Sequence, residues 1–414
     1  MRATKDSGFE WIGIIPTEWG LSKIGQVYRL RNTKVSDTDY PPLSVTNKGI
    51  VPQLDTAAKT NAHDDRKLVK KGDFAINSRS DRRGSCGISD YDGSVSLINT
   101  ILAPLNEMNP GYYDWLFHTV QFGDEFYKFG HGIVDDLWTT GWQEMKKITI
   151  PTPPLPEQQR IADFLDTKCA EIDALTADIQ TQIDTLEQYK RSVITETVTK
   201  GLNPAAETKD SGIEWVGRIP AHWPIHPVYS YYGERKNKNR LGKEDNLLSL
   251  SYGRVIRKDI NTNDGLLPES FNTYNIVEAG DIIIRPTDLQ NDKRSLRTGL
   301  VKEHGIITSA YIDLCPLKQV DSRYFHFLLH AYDVMKVFYN MGNGVRQGLN
   351  YSEFSRLMVF EPPYEEQVAM ADYLETKVTE VDTIIEQKKE QMAVLDAYKR
   401  SLIFEYVTGK KEVV

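Results

Sequence analysis

A chain of 414 residues with 40% apolar side chains has room for two or three domains with cores of their own. No run of about 18 apolar residues is present, and Met1 to Asp6 lack the apolar stretch of a signal peptide, so the sequence predicts a cytoplasmic protein without a membrane span. A net charge of −8 argues at first against a nucleic-acid partner, and three scattered cysteines (Cys86, Cys169, Cys315) without CxxC or His-rich spacing argue against a disulfide framework and structural zinc.

In chain order, the segment Thr4 to Trp19 comes first and recurs as Thr208 to Trp223, identical at 11 of 16 positions. Its tryptophans, Trp11, Trp19, Trp215 and Trp223, are expected to anchor the start of two duplicated cores. Some 130 residues of weaker similarity follow in each half. Gly72-Asp73-Phe74-Ala75-Ile76 matches Gly280-Asp281-Ile282-Ile283-Ile284 as a turn entering a short buried strand. Tyr113 to His118 is paired with Tyr324 to Leu329 as an apolar helical piece, and Gly130-His131-Gly132-Ile133 with Gly342-Asn343-Gly344-Val345 as a Gly-rich turn. Each half reads as a mixed α+β globule.

From Pro153 to Thr199 the chain predicts one long amphipathic helix. The pair Pro153-Pro154 blocks any earlier start, Glu157 places negative charge in the first turn, and Gly201 with Pro204 ends it. Apolar positions at Ile161, Leu165, Cys169, Ile172, Leu175, Ile179, Ile183, Leu186, Tyr189 and Val193 recur with the helical period. Pro362 to Thr408 repeats the register at an offset of 209: Met370, Leu374, Val378, Val381, Ile384, Lys388, Met392, Leu395, Tyr398 and Leu402. A helix of roughly 40 residues is about 60 Å long and cannot bury such a stripe in one small domain, so each copy is the natural partner of the other. The expected architecture is α+β: globules at 1–152 and 201–361, joined by long helices at 153–200 and 362–414 that form an intramolecular antiparallel coiled coil.

The acidic balance belongs to these helices. Residues 157–200 carry nine acidic and five basic side chains, and residues 365–408 carry ten and five, a total of −9 that leaves +1 for everything else. Basic stretches stand out against that background. Arg66 to Arg83 holds seven basic and two acidic residues and ends in Asn77, Arg79, Ser80, Arg82 and Arg83, just after the first Gly-Asp strand. Arg235 to Lys243 holds five basic residues and no acidic one, among them Arg235, Lys236, Lys238 and Arg240. The stretch after the second Gly-Asp strand contains Arg285, Gln290, Asn291, Lys293, Arg294 and Arg297, and Arg346 follows the second Gly-rich turn. Arg, Lys, Asn and Gln bind phosphates and offer paired donors to base edges. One charge run is usually a solvated loop. Two at equivalent places in duplicated domains mark these residues as candidate DNA contacts.

Catalytic patterns are missing. Phe360-Glu361-Pro362-Pro363-Tyr364 resembles the Pro-Pro-Tyr turn of amino-methyltransferases, but the first half has Thr152-Pro153-Pro154-Leu155 there and keeps only the helix-starting prolines. Asp372, Glu375 and Lys377 lie within six residues of a predicted helix and match Asp163, Asp166 and Lys168, a polar helix face. No phosphate loop, H-E-x-x-H or G-x-S-x-G motif occurs.

Two divergent halves, each with an Ile-Pro-x-x-Trp opening (Ile15 to Trp19, Ile219 to Trp223), a Gly-Asp strand, and a Pro-Pro-x-x-Glu-Gln start to a long helix that ends in Tyr-Lys-Arg-Ser, resemble the DNA-specificity subunit of type I restriction-modification systems. One departure is Glu365 where the first copy has Pro156. The resemblance implies a non-catalytic subunit whose globules are target-recognition domains, each reading one half of a split double-stranded DNA site. It further implies that two methylation subunits dock on the helical spacer and bring S-adenosylmethionine. Motor-nuclease restriction subunits would bring ATP and Mg²⁺, and this chain itself would hold no cofactor or metal. The competing readings are a two-globule coiled-coil scaffold that never touches DNA and an adenine-specific methyltransferase.

Overall fold

The computed structural model describes residues 2–53, 63–79, 82–132, 138–260, 270–287, 296–341 and 348–413. Two compact units divide the chain, Met1–Gln180 with Lys389–Val414 and Thr181–Lys388. Both long helices, Leu155–Lys200 and Tyr364–Val407, are therefore shared: each begins in one unit and ends in the other.

The two units use one topology. In the first, an antiparallel sheet has the order Cys86–Ile88, Phe74–Asn77, Asn99–Pro104, Tyr28–Leu30; in the second, the corresponding order is Thr298–Leu300, Ile282–Ile284, Ile312–Pro316, Tyr232–Glu234. Beside it, Arg66–Val69 pairs with Gly93–Val95, and Asn275–Val277 pairs with Gly305–Ile307. Each unit adds a tight hairpin, Leu43–Thr46 with Gly49–Pro52 and Leu248–Ser251 with Arg254–Arg257. The Gly-Asp segments enter the central strands Phe74–Asn77 and Ile282–Ile284, whose inward residues are buried.

Helix pairing within each unit is antiparallel. In the first unit Lys399 Nζ lies 2.6 Å from Asp173 Oδ1, and in the second Lys190 Nζ lies 2.7 Å from Asp382 Oδ1. Lys190 and Lys399 are repeat equivalents, as are Asp173 and Asp382, so the duplication makes the same ion pair twice. The first unit buries Ile161, Leu165 and Cys169 from the start of one helix with Leu402 and Val407 from the end of the other; the second buries Met370, Ala371 and Leu374 with Ile194 and Val198.

The apolar stripe is buried along only part of its length. Leu175, Tyr189, Ile384 and Tyr398 are 42–53% exposed, and Ile385 rather than Ile384 turns into the seam. Where a globule packs on a helix the helix has neighbours on two sides, whereas a partner helix alone covers only the narrow a/d seam.

The repeated motifs acquire a physical reason here. Glu157 and Glu366 do more than oppose a helix dipole: Glu157 accepts the indole N–H of Trp19 and Glu366 that of Trp223, each at 2.9 Å. Their neighbours staple the helix to its globule. Gln158 donates to Pro153 O at 2.8 Å and accepts from the backbone N–H of Asn109, the N-cap of Pro110–Phe117; Gln367 donates to Pro362 O and accepts from that of Asp321, the N-cap of Ser322–Val334. At the far ends, Tyr112 and Tyr324 donate their hydroxyls to Val407 O and Val198 O. These contacts equate Tyr112, not Tyr113, with Tyr324, so the expected helical match shifts by one residue. Trp19 and Trp223 are fully buried and Trp11 nearly so, as core anchors. Gly201 (φ +73°) and Gly409 (φ +70°) end the helices in left-handed conformation against these tryptophans.

Candidate nucleic-acid interface

The Gly-Asp turns fix where each basic loop begins. Gly72 (φ +85°) and Gly280 (φ +97°) supply the left-handed corner. The next residue closes it: Asp73 accepts from Lys70 N and pairs with Arg31, and Asp281 accepts from Glu278 N and pairs with Arg235. Each Arg–Asp pair is bidentate with a buried carboxylate, which makes it a rigid brace. Arg235, a candidate contact from its charge run, is thus an anchor with its guanidinium engaged. Its counterpart Arg31 escaped selection because a lone arginine makes no charge run, although the two lie at the same offset as the opening repeat.

In the first globule the loop after the Gly-Asp strand rests on the helix Val120–Lys128. Asn77 is half-buried, and its side chain accepts from Arg79 N at 3.1 Å. Tyr127 donates its hydroxyl to Arg79 O, and the Arg83 guanidinium lies 4.8 Å over the Tyr127 ring, with Asp124 3.4 Å from its Nη1. Arg79, Arg82 and Arg83 are exposed on this braced loop. Ser80 lies outside the described residues.

The second globule separates its candidates. Arg285 is exposed, but Arg297 is 1% exposed and faces inward. Its Nη1 donates to Thr287 O at 2.6 Å and to Arg285 O, while its backbone N–H donates to the buried Asp333 carboxylate at 2.7 Å. Arg297 therefore closes the base of the loop, and its expected role as a surface contact is corrected: a planar guanidinium satisfied by carbonyls is a good interior brace. Gln290, Asn291, Lys293, Arg294 and Arg346 lie outside the described residues. In the other stretch Lys236 and Arg240 are exposed, with Lys236 near Glu234, while Lys238 is half-buried and donates to Thr273 O. Asn239, buried, holds this loop by exchanging hydrogen bonds with the Glu244 backbone. The exposed cations assembled here are Arg79, Arg82 and Arg83 on one unit and Lys236, Arg240 and Arg285 on the other.

One buried acid sits beside the Arg235 brace. Asp313 is 1% exposed, and its carboxylate oxygens have no hydrogen-bond partner among the described residues; Arg235 Nε is 4.0 Å away. Burial, reinforced by the charge of Asp281, pushes this carboxyl up to about 8. Asp313 pairs with Ile283 as Ile101 pairs with Ala75, so the first globule has an isoleucine in the same place.

The acidic residues of the helices tie globule to helix. Arg323 reaches Asp372 at 2.7 Å and Glu375 at 3.0 Å, and the Trp115 indole donates to Asp166. Among the described residues no group of three or more His, Cys, Asp or Glu is arranged to hold a metal ion.

A family model described as the type I restriction modification DNA specificity domain matches residues 16–185. Two Methanocaldococcus jannaschii proteins are similar in sequence. The putative type I restriction enzyme MjaX specificity subunit is 25% identical over 276 residues, covering 65% of this chain and 61% of its own length. The type I restriction enzyme MjaVIII specificity subunit is 25% identical over 349 residues, covering 78% and 76%. The match to the first thus spans about three fifths of that relative. Among solved structures, a chain from work on complex assembly and conformational transition of the type I R-M system aligns with TM-score 0.72 at 13% identity, over 96% of this chain and 99% of that one. The HsdS subunit from Thermoanaerobacter tengcongensis aligns with TM-score 0.53 at 14% identity, over 96% and 98%. At such identities the structures speak for a shared fold alone. With duplicated globules and two long antiparallel helices, the chain has the fold of these solved structures, and its residues 16–185 match the type I restriction modification DNA specificity domain.

Proposed function

We propose that this chain reads a two-part double-stranded DNA sequence, each globule reading one part, and that it performs no chemistry of its own. The observation that carries this reading is the recurrence of a basic segment after the Gly-Asp strand in two copies of one fold, with Arg79, Arg82 and Arg83 exposed in the first and Arg285 exposed in the second. The helices hold the acidic excess, so the globules approach DNA without its repulsion. The braces argue for presentation: Arg31–Asp73, Arg235–Asp281 and Arg297–Asp333 rigidify the backbone under the exposed cations.

The partner proposal rests on the uncovered part of the stripe. Leu175 and Tyr398 are exposed in the first unit, and their repeat equivalents Ile384 and Tyr189 in the second. Two equal patches suit two copies of one partner, which the family resemblance makes the methylation subunits. S-adenosylmethionine would enter on those subunits, and ATP and Mg²⁺ on restriction subunits. Among the described residues no helix is long and apolar enough to cross a membrane, and the proposed work on genomic DNA suits a cytoplasmic chain.

The test is binding to a random-sequence duplex pool by the chain with its methylation subunits, followed by selection and sequencing. A split consensus whose affinity falls steeply with salt supports the reading. The competing scaffold reading requires no enrichment at all.

A further inference from the structure

The turn Glu303-His304 gathers three parts of the second globule. His304 Nδ1 lies 2.9 Å from Glu278 Oε2, and its Nε2 lies 3.0 Å from Glu244 Oε2. Glu244 closes the basic stretch 235–243, since its backbone exchanges hydrogen bonds with the buried Asn239 side chain. Glu278 opens the Gly-Asp turn, whose Asp281 grips Arg235, the first residue of the same stretch. One imidazole therefore ties both ends of a basic loop. The neighbouring Glu303 accepts from Arg257 of the hairpin and from Asn246.

Neutral imidazole has one N–H, so a ring that donates from both nitrogens to two carboxylates is an imidazolium. The carboxylates of Glu278 and Glu244 raise the His304 pKa above its ordinary value of 6.5. The charged groups around the ring are these two glutamates, from the turn and from the loop, and Lys302 and Glu303 on its own segment, with Glu303 paired to Arg257. The first globule is built differently. Gly93 faces Val69 as Gly305 faces Val277, which puts Asp92 in the place of His304; Asp92 accepts from Lys71 N.

We infer that His304 is a positioning residue for the basic loop of the second globule, and that the half-site read by this globule, unlike the other, is held less firmly once His304 loses its proton. The inference rests on the DNA-reading proposal above. Because the folded state raises the pKa, the latch is fully engaged below about 6.5 and is lost as pH rises through the folded value.

Two measurements on the full chain test it. In histidine-labelled protein, with the His304 resonance assigned by its loss in His304→Gln, the NMR titration midpoint should exceed 6.5. In complex with its methylation subunits, discrimination against a scrambled second half-site should fall about two- to five-fold between pH 6 and 8.5, the size that exposed ion pairs allow. His304→Gln should be weak at both pH values, and His304→Arg, always charged, strong at both; discrimination at the first half-site should not move with any of them. A midpoint at or below 6.5, an unchanged pH response in His304→Gln, or an equal response at both half-sites overturns the inference while leaving DNA reading intact. Absence of sequence-selective binding at every pH, with a raised His304 midpoint, overturns the DNA-reading proposal and the inference with it.

Discussion

Replacing Asp313 with asparagine should stabilise the second unit, and the gain should grow with pH. The carboxyl is pushed up to about 8 from an ordinary 3.8, so at neutral pH the folded chain must keep a proton that the unfolded chain releases. The penalty is absent below 3.8, rises by about 1.4 kcal/mol per pH unit, and levels off above 8. At pH 7 it amounts to roughly 4 kcal/mol, and at pH 5 to under about 2 kcal/mol. An asparagine side chain has no such proton to hold, so Asp313→Asn should gain these amounts relative to the native chain. For a unit of about 200 residues, 1 kcal/mol moves the midpoint by roughly 2–4 °C, so calorimetry at pH 7 should show the second unit's transition about 8–16 °C higher and that of the first unmoved. Asp313→Ile, which copies Ile101 of the first globule, should gain at least as much because it also removes two unpartnered oxygens. A destabilised Asp313→Asn variant, or a gain equal at pH 5 and pH 7, would refute the account of Asp313 as a strained, protonated acid.

Other expectations follow from the braces and the loops. Gln158→Ala should cost about 1–3 kcal/mol in thermal unfolding of the first unit, because it strands Pro153 O and the Asn109 N–H, and Gln367→Ala should do the same in the second. Gly409→Ala puts a Cβ 2.4 Å from Pro16 Cδ at a φ of +70°, and should destabilise far more than Gly8→Ala, which has a similar φ and open space around it. Arg297→Ala should lower the stability of the second globule, whereas Arg79→Ala, Arg82→Ala and Arg83→Ala should leave melting unchanged and weaken DNA binding, a contrast read by calorimetry and fluorescence anisotropy. The purified chain should methylate DNA only when methylation subunits and S-adenosylmethionine are added, checked with tritiated cofactor.

Much of the fold was legible because duplication repeats its signals. The helix starts, the Gly-Asp strands and the buried tryptophans recur with fixed offsets, and two copies of a pattern exclude chance. Sequence failed where the decision is made by space. Leu175 and Tyr398 carry the helical period but lie beside a seam too narrow to cover them. The Tyr112-Tyr113 run can match Tyr324 in two registers, and only the hydroxyl contacts to Val407 and Val198 choose between them. Arg297 reads as surface charge because composition does not show the carbonyls that receive it. Arg31 carries no signal except its shared offset with Arg235. His304 and Asp313 stand out only when the two globules are superposed and their counterparts prove to be Asp92 and Ile101.

The central claim, that each globule reads its own part of the DNA, is tested most directly by mapping modified bases genome-wide in cells carrying the native chain with its methylation subunits, and in cells carrying the Arg79→Ala, Arg82→Ala, Arg83→Ala variant. The account predicts a split motif in which the variant relaxes one part and leaves the other part and the gap between them intact. A motif in one uninterrupted piece, or one whose two parts relax together, would contradict it.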